Sequence, residues 1–398
     1  MRRFRVVLTA ALLAGTTLAT VRAQEPGSRA EEQTQQQAQK AQTLSAYRAP
    51  WIERQLLAIE QAGGFGVARG LFVTFGDIKR GSGFALGPAY GRTFGSGAVV
   101  VAKAAYATSN AKLAQLVVQS PALAAGRLVF KSRARWQDAP AVRVFARGMD
   151  SPKTKTEYAE TKTELSGEGR FAPVRVLRFG AGLGLERFVT GPSPKADPAH
   201  ADIFNDLPGV GVDPRYVHGQ AYAAIDSRDG EGYSRHGSLL RATFHEYRQQ
   251  NSGPYSFERL DGAAEQYVPV LHGNWVLFLS LRASTTTTSA GHDVPFFLMP
   301  DLGGHDLRGY SNYRFRDRHS ILVTAEYRWY AQEYLDGAIF YDAGKTVPTR
   351  GALDFSGFKS SVGAGVRLHG PQTTAIRLEV ARSREGMRLL LAFTPVGQ

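Results

Sequence analysis

The stretch 301–345 carries the residue spacing with the most chemical content in this 398-residue chain. A tip, Leu307-Arg308-Gly309-Tyr310, follows Gly303-Gly304, and two strand-like runs come after it. In the first run Ile321, Val323, Ala325, Tyr327 and Trp329 share one face, with Thr324, Glu326 and Arg328 opposite. In the second, Ile339, Tyr341 and Ala343 oppose Ala338, Phe340 and Asp342. Side chains on a strand alternate with period two, so each run sets a carboxylate on the face opposite its apolar row. Charge on one side and a lipid-compatible stripe on the other predict the wall of a transmembrane barrel with a wet lumen. The glycines around the tip supply backbone conformations that other residues reach only at a cost.

Other chemistries find little support. No G-x-S-x-G elbow and no H-E-x-x-H occurs, so no catalytic role is expected. His245-Glu246 would point to opposite faces of a strand, and the nine histidines are scattered. His292 and His305 share a loop without a clear third ligand, so no metal site is expected. Gly180-x-Gly182-x-Gly184 continues a strand rather than opening a helix, which rules out a dinucleotide fingerprint, and no cofactor is expected. The net charge of +13 is dispersed along an exported chain, which argues against nucleic acid. Anionic lipid head groups, lipopolysaccharide or a polyanionic cargo fit it better, and a solvated loop surface is the plain alternative.

The elements that would position the 301–345 stretch are strands. Arg2, Arg3 and Arg5 precede an apolar run from Val6 to about Thr20, then Val21-Arg22-Ala23. That pattern predicts a secretory signal peptide, residues 1–23. Residues 24–64 form a polar linker and a short amphipathic helix: a Gln/Ala/Glu tract to about Ser45, then Pro50 to Glu60 with Ile52, Leu56 and Ile59 at helical spacing. Whether that helix plugs a barrel, lies along the periplasmic membrane face, docks on a partner or is merely pendant stays open. From residue 65 to 398 the text is strand, turn, strand. About sixteen strands are expected: 66–76, 82–90, 97–107, 111–119, 125–136, 155–166, 171–188, 215–227, 234–248, 262–272, 274–286, 319–331, 334–343, 357–369, 372–383 and 386–394. An even count of segments near ten residues fits an all-β transmembrane antiparallel β-barrel. Along 174–188, Leu177, Phe179, Ala181, Leu183 and Leu185 oppose Arg178, Gly180, Gly182, Gly184 and Glu186. Long connections are expected after Trp136, Phe188 and about Ala283, the last of them carrying Arg308. With zero cysteines the chain has no disulfide, no thiol nucleophile and no lipoprotein anchor.

The tip, the Ala325-Glu326-Tyr327 strand and Phe340-Tyr341-Asp342-Ala343-Gly344, in this order and spacing, resemble the loop-six signature of the outer-membrane insertase and translocase superfamily. That superfamily includes BamA, TamA and the two-partner secretion transporters, and is also known as the bacterial surface antigen barrel. The resemblance implies that Leu307, Arg308, Gly309 and Tyr310 form a loop tip folded back into the barrel. It implies that Arg308 pairs with Asp342, and that Glu326 offers a second carboxylate. Leu389, Leu391 and Phe393 share a face and resemble the C-terminal signal by which outer-membrane barrels are assembled by the cell's barrel machinery, with five residues following Phe393. The family's periplasmic POTRA modules have no counterpart in 24–64, which is too short and too polar for one.

The implied function is insertion or translocation of polypeptide at the bacterial outer membrane, through a lateral seam between the first and last strands. Client polypeptides, outer-membrane lipid and a separately encoded periplasmic partner are the implied partners. A passive pore, a scaffold, a membrane anchor for a separate partner, or a component of lipid or lipopolysaccharide transport are the alternatives.

Overall fold

Alternation of polar and apolar residues from Gly70 onward yields one continuous antiparallel sheet of sixteen strands that neighbour each other in chain order. The computed structural model describes residues 70–95, 97–271, 274–370 and 374–393. The signal peptide, the linker, the helix expected near Trp51 and the five residues after Phe393 lie outside the described residues. The first seven strands are β1 (Gly70–Gly76), β2 (Ala85–Phe94), β3 (Ala98–Ala107), β4 (Lys112–Gln119), β5 (Leu128–Phe145), β6 (Lys155–Val174) and β7 (Leu177–Pro192). A short helix, α1 (Ala201–Asn205), sits in the next connection. Then come β8 (Arg215–Asp226), β9 (Gly237–Gln249), β10 (Phe257–Val270) and β11 (Trp275–Thr287). A two-residue ribbon, β12 (Asp301–Leu302) with β13 (Phe315–Arg316), lies inside the following loop. The wall resumes with β14 (His319–Gln332), β15 (Leu335–Val347), β16 (Lys359–His369), β17 (Thr374–Ser383) and β18 (Gly386–Phe393). Among the described residues no helix is long and apolar enough to cross a membrane.

The two faces separate as alternation requires. Leu183 and Leu185 are 63% and 57% exposed, whereas Glu186 beside them is 7% exposed. Leu71, Leu165, Leu240 and Leu389 likewise face outward. An outer surface of leucine, valine and aromatics around a polar interior suits hydrocarbon outside, where every backbone group must already be paired within the sheet.

Three features depart from the sequence reading. No connection begins after Trp136: β5 runs on to Phe145, and Pro140, which cannot donate to a ladder, falls where the register against β6 shifts between Ala139 and Val142. At the opposite end of the pair β6 runs on to Val174, past the start of β5. The interior is not wet throughout. Ile78, Val142, Tyr158, Phe204, Phe296 and Tyr313 pack as one buried cluster, and Phe188, Tyr216, Tyr247, Phe257, Val294 and Met299 as another. Loops that fold inward bring backbone out of water, and they need an apolar core of their own to offset the entropy of ordering them.

The sheet ends at β1 and β18, and among the described residues no ladder joins these two strands. Phe393 bridges them with side chains instead. Its ring meets Phe75 edge-on at 5.7 Å and Phe84 at 5.4 Å.

Candidate functional site

The connection from β11 to β14, residues 288–318, turns back into the barrel rather than away from it. Its tip is made tight by glycine. Gly303 has φ +128°, and a Cβ there would lie 2.0 Å from the Ser311 carbonyl oxygen, so no side chain fits. Gly309 has φ +90° and abuts the Cβ atoms of Ser361 and Ser383. Backbone bonds from Gly304 N–H to Tyr310 O (3.1 Å) and from Tyr310 N–H to Leu307 O (3.3 Å) close the turn. Leu307 and Tyr310 are anchored in a buried cluster with Leu302, Phe315 and Leu322. Burying those two side chains aims the intervening Arg308 at the wall.

Arg308 is 4% exposed and meets three carboxylates. Its Nε and Nη2 donate to Asp342 Oδ2 and Oδ1, both at 2.8 Å, the fork-on-fork geometry that planar guanidinium and carboxylate favour. Its Nη1 donates to Glu326 (3.1 Å) and to Glu379 (3.0 Å). Its own backbone N–H also points to Asp342, at 3.3 Å. The guanidinium carbon sits 3.3 Å from the centroid of the Phe340 ring, a cation–π contact. Arg367 of β16 donates to Glu326 (2.5 Å) and Glu379 (3.4 Å), and Arg328 of β14 pairs with Glu326. Three arginines thus face three carboxylates, supplied by the loop and by β14, β15, β16 and β17. The set is electrically balanced, as burial demands.

The structure therefore brings Leu307, Arg308, Gly309, Tyr310, Glu326 and Asp342 together. Sequence reasoning missed Glu379 and Arg367. Both stand on inward-facing positions of alternating strands. A pairing 71 residues apart in sequence leaves no spacing to read.

The loop is also tied to both margins of the open sheet. Toward the first hairpin, Arg80 in the β1–β2 turn donates to Asp301 (2.7 Å) and Asp306 (2.8 Å) of the loop. Toward the last, loop residue Arg314 donates to Glu385 in the β17–β18 turn (2.8 Å). Arg388 of β18 donates to the Ser311 hydroxyl (2.6 Å), and Ser383 donates to the Gly309 carbonyl (2.8 Å). In β18 itself, Leu389 and Leu391 face outward at 70% and 49% exposure, and Phe393 makes the aromatic contacts across the margin.

Two histidines that look unrelated in sequence also meet inside the barrel. His218 lies between Glu186 (3.0 Å) and His245 (3.1 Å), and His245 reaches Asp261 (3.2 Å), a polar chain across four adjacent strands. Among the described residues, no group of histidine, aspartate and glutamate has a metal-binding arrangement.

Outward apolar rows, a paired sheet and a loop keyed into the wall from inside define an outer-membrane β-barrel with a folded-in loop. Residues 217–385 match the Omp85 superfamily domain. Among solved structures it is similar to BamA from Haemophilus ducreyi lacking POTRA domains 1–3, with a TM-score of 0.61 and 13% identity, over 83% of this chain and 70% of that one. It is also similar to CdiB from Escherichia coli, with a TM-score of 0.53 and 12% identity, over 81% of this chain and 60% of CdiB. At these identities the likeness establishes the fold. No curated protein matches the sequence.

Proposed function

We propose that this barrel inserts or translocates polypeptide at the outer membrane by parting its sheet between β1 and β18, while the Arg308 cluster holds the loop inside. The observation that carries the reading is the missing ladder between β1 and β18 in a sheet paired everywhere else among the described residues. An unpaired strand edge presents a row of N–H and C=O groups that can template an incoming strand. The first hairpin is the weaker side. Among the described residues β1 has seven, and the ladder tying β2 to β3 lapses at Gly87 and Pro88, where proline has no donor to give. The charge cluster and the ties to Arg80 and Glu385 keep the loop in place while that edge is free. Clients enter from the periplasmic side in this reading, and a separately encoded periplasmic partner recruits them. Outer-membrane lipid and lipopolysaccharide surround the outward rows.

A cysteine pair replacing Phe75 and Phe393 tests it, because the chain has no thiol of its own. The readout is folding of an unfolded eight-stranded outer-membrane barrel into liposomes that contain the protein. The oxidised pair is expected to abolish the acceleration, and reductant to restore it. Unchanged acceleration with the disulfide fully formed removes the seam mechanism.

A further inference from the structure

The turn joining β8 to β9, residues 227–236, is the longest connection at its end of the barrel and is built to hold a shape. The Asp229 carboxylate accepts the backbone N–H groups of Arg235 (3.0 Å) and His236 (3.4 Å). At its base the Arg228 guanidinium forks onto Asp226 (2.9 and 3.0 Å) and reaches Glu265 of β10 (3.2 Å). Arg178 of β7 also pairs with Asp226 (3.1 Å), so the base is fixed to β7, β8 and β10.

The apex lands on the far wall. The Gly232 carbonyl accepts from Thr374 N–H and from Thr374 Oγ1, both at 3.3 Å. The Tyr233 ring stacks on His369, with centroids 3.9 Å apart and planes 10° from parallel. The Tyr233 hydroxyl donates to Asp336 at 2.6 Å. These landing points belong to β15, β16 and β17. In the sixteen-strand order β8 stands eighth and β17 fifteenth, one place short of opposite. A turn rooted at one and resting on the other must cross the mouth. Asp336 and His369 are 3% and 5% exposed, burial that polar groups at an open barrel end do not reach unless something lies over them.

We propose that the 227–236 turn is a strap barring this mouth of the barrel, and that passage of an extended chain requires Gly232 and Tyr233 to release β15–β17. The base, with its half-buried arginine fork, stays put and acts as the hinge. The apex, held by one stack and neutral or singly charged hydrogen bonds, is the part that lets go. The inference goes beyond the seam reading, because a barred mouth is expected whether or not β1 and β18 part.

Two measurements on the full-length barrel test it. First, residues whose backbones share an N–H···O bond stand about 5 Å apart, within disulfide reach. The pair Gly232→Cys/Thr374→Cys should therefore cross-link on mild oxidation of the folded protein. Failure of the pair to form in a heat-modifiable barrel overturns the docked strap. Second, single-channel conductance in planar bilayers reads the mouth. Replacing 229–235 by Asn-Gly, a turn suited to a two-residue hairpin, should raise conductance several-fold over the native strap. The comparison is made both with the native loop and in an Arg308→Ala background, so that the inner loop cannot mask the effect. Equal conductance with long and short straps in both backgrounds refutes the proposal, and the cysteine pair at Phe75 and Phe393 is untouched by either result.

Discussion

Replacing Arg308 by alanine removes one cation from a buried set of three cations and three carboxylates. The three carboxylates are not left equally exposed to the loss. Glu326 keeps Arg328 and Arg367, and Glu379 keeps Arg367. Asp342, at 0% exposure, keeps the Thr324 hydroxyl (3.0 Å) and the residue 308 backbone N–H but no cation partner. Breaking a buried pair by removing one partner costs about 3–5 kcal/mol, because the remaining charge is stranded. Losing the contact with Phe340 adds roughly 0.5–2 kcal/mol. Much of this can be relieved by letting the loop leave the lumen, which admits water to Asp342. The docked-to-undocked ratio should therefore fall by about two to three orders of magnitude. Limited proteolysis within 288–318 of the folded barrel, together with the temperature of the heat-induced mobility shift on gels, reads this directly. Arg175, exposed in the β6–β7 turn, is the control, since exposed charges contribute roughly 0–1 kcal/mol. Arg308→Ala combined with Asp342→Ala should recover part of the loss, because no stranded carboxylate remains. If Arg308→Ala and Arg175→Ala resist protease and heat equally, the argument for a lock is wrong.

Two further substitutions probe the parts separately. Gly303→Ala sets a methyl against the Ser311 carbonyl at φ +128°, where strain alone is about 1–3 kcal/mol, so the loop should become protease-sensitive. Gly357→Ala, at a positive φ but in open space, should leave it protected, and identical cleavage of the two would count against a constrained tip. Leu389→Arg places a charge on the outward face and should destabilise the barrel by about 2–4 kcal/mol if that face meets the bilayer midplane. Urea unfolding in lipid vesicles measures it against Leu389→Ala, and matching midpoints would mean that this face does not meet hydrocarbon.

Strand number and facing were readable because they rest on a local rule. A strand exposes alternate residues to opposite sides, so Leu183 and Glu186 declare their environments within four positions, and a membrane on one side sharpens the contrast. The glycine-flanked tip and its first two carboxylates were readable for a different reason: they lie within about forty residues in a recognisable order. Strand ends were less legible where the wall extends past Trp136, since Pro140 reads locally as a stop and only the partner strand turns it into a register shift.

The chain by itself settles that Gly70 to Phe393 makes amphipathic strands, that Leu389 and Leu391 share a face, and that Arg308 sits on a constrained tip. Tertiary structure decides which charges meet. Glu379 and Arg367 join Arg308 because curling the sheet brings β14 to β17 around the same inward point. Tyr233 reaches Asp336 because a turn spans the mouth between walls far apart in sequence. Backbone sterics act between neighbours and so are written in neighbouring residues. Where a rim closes, and what a loop touches once inside it, depends on the position of every strand at once.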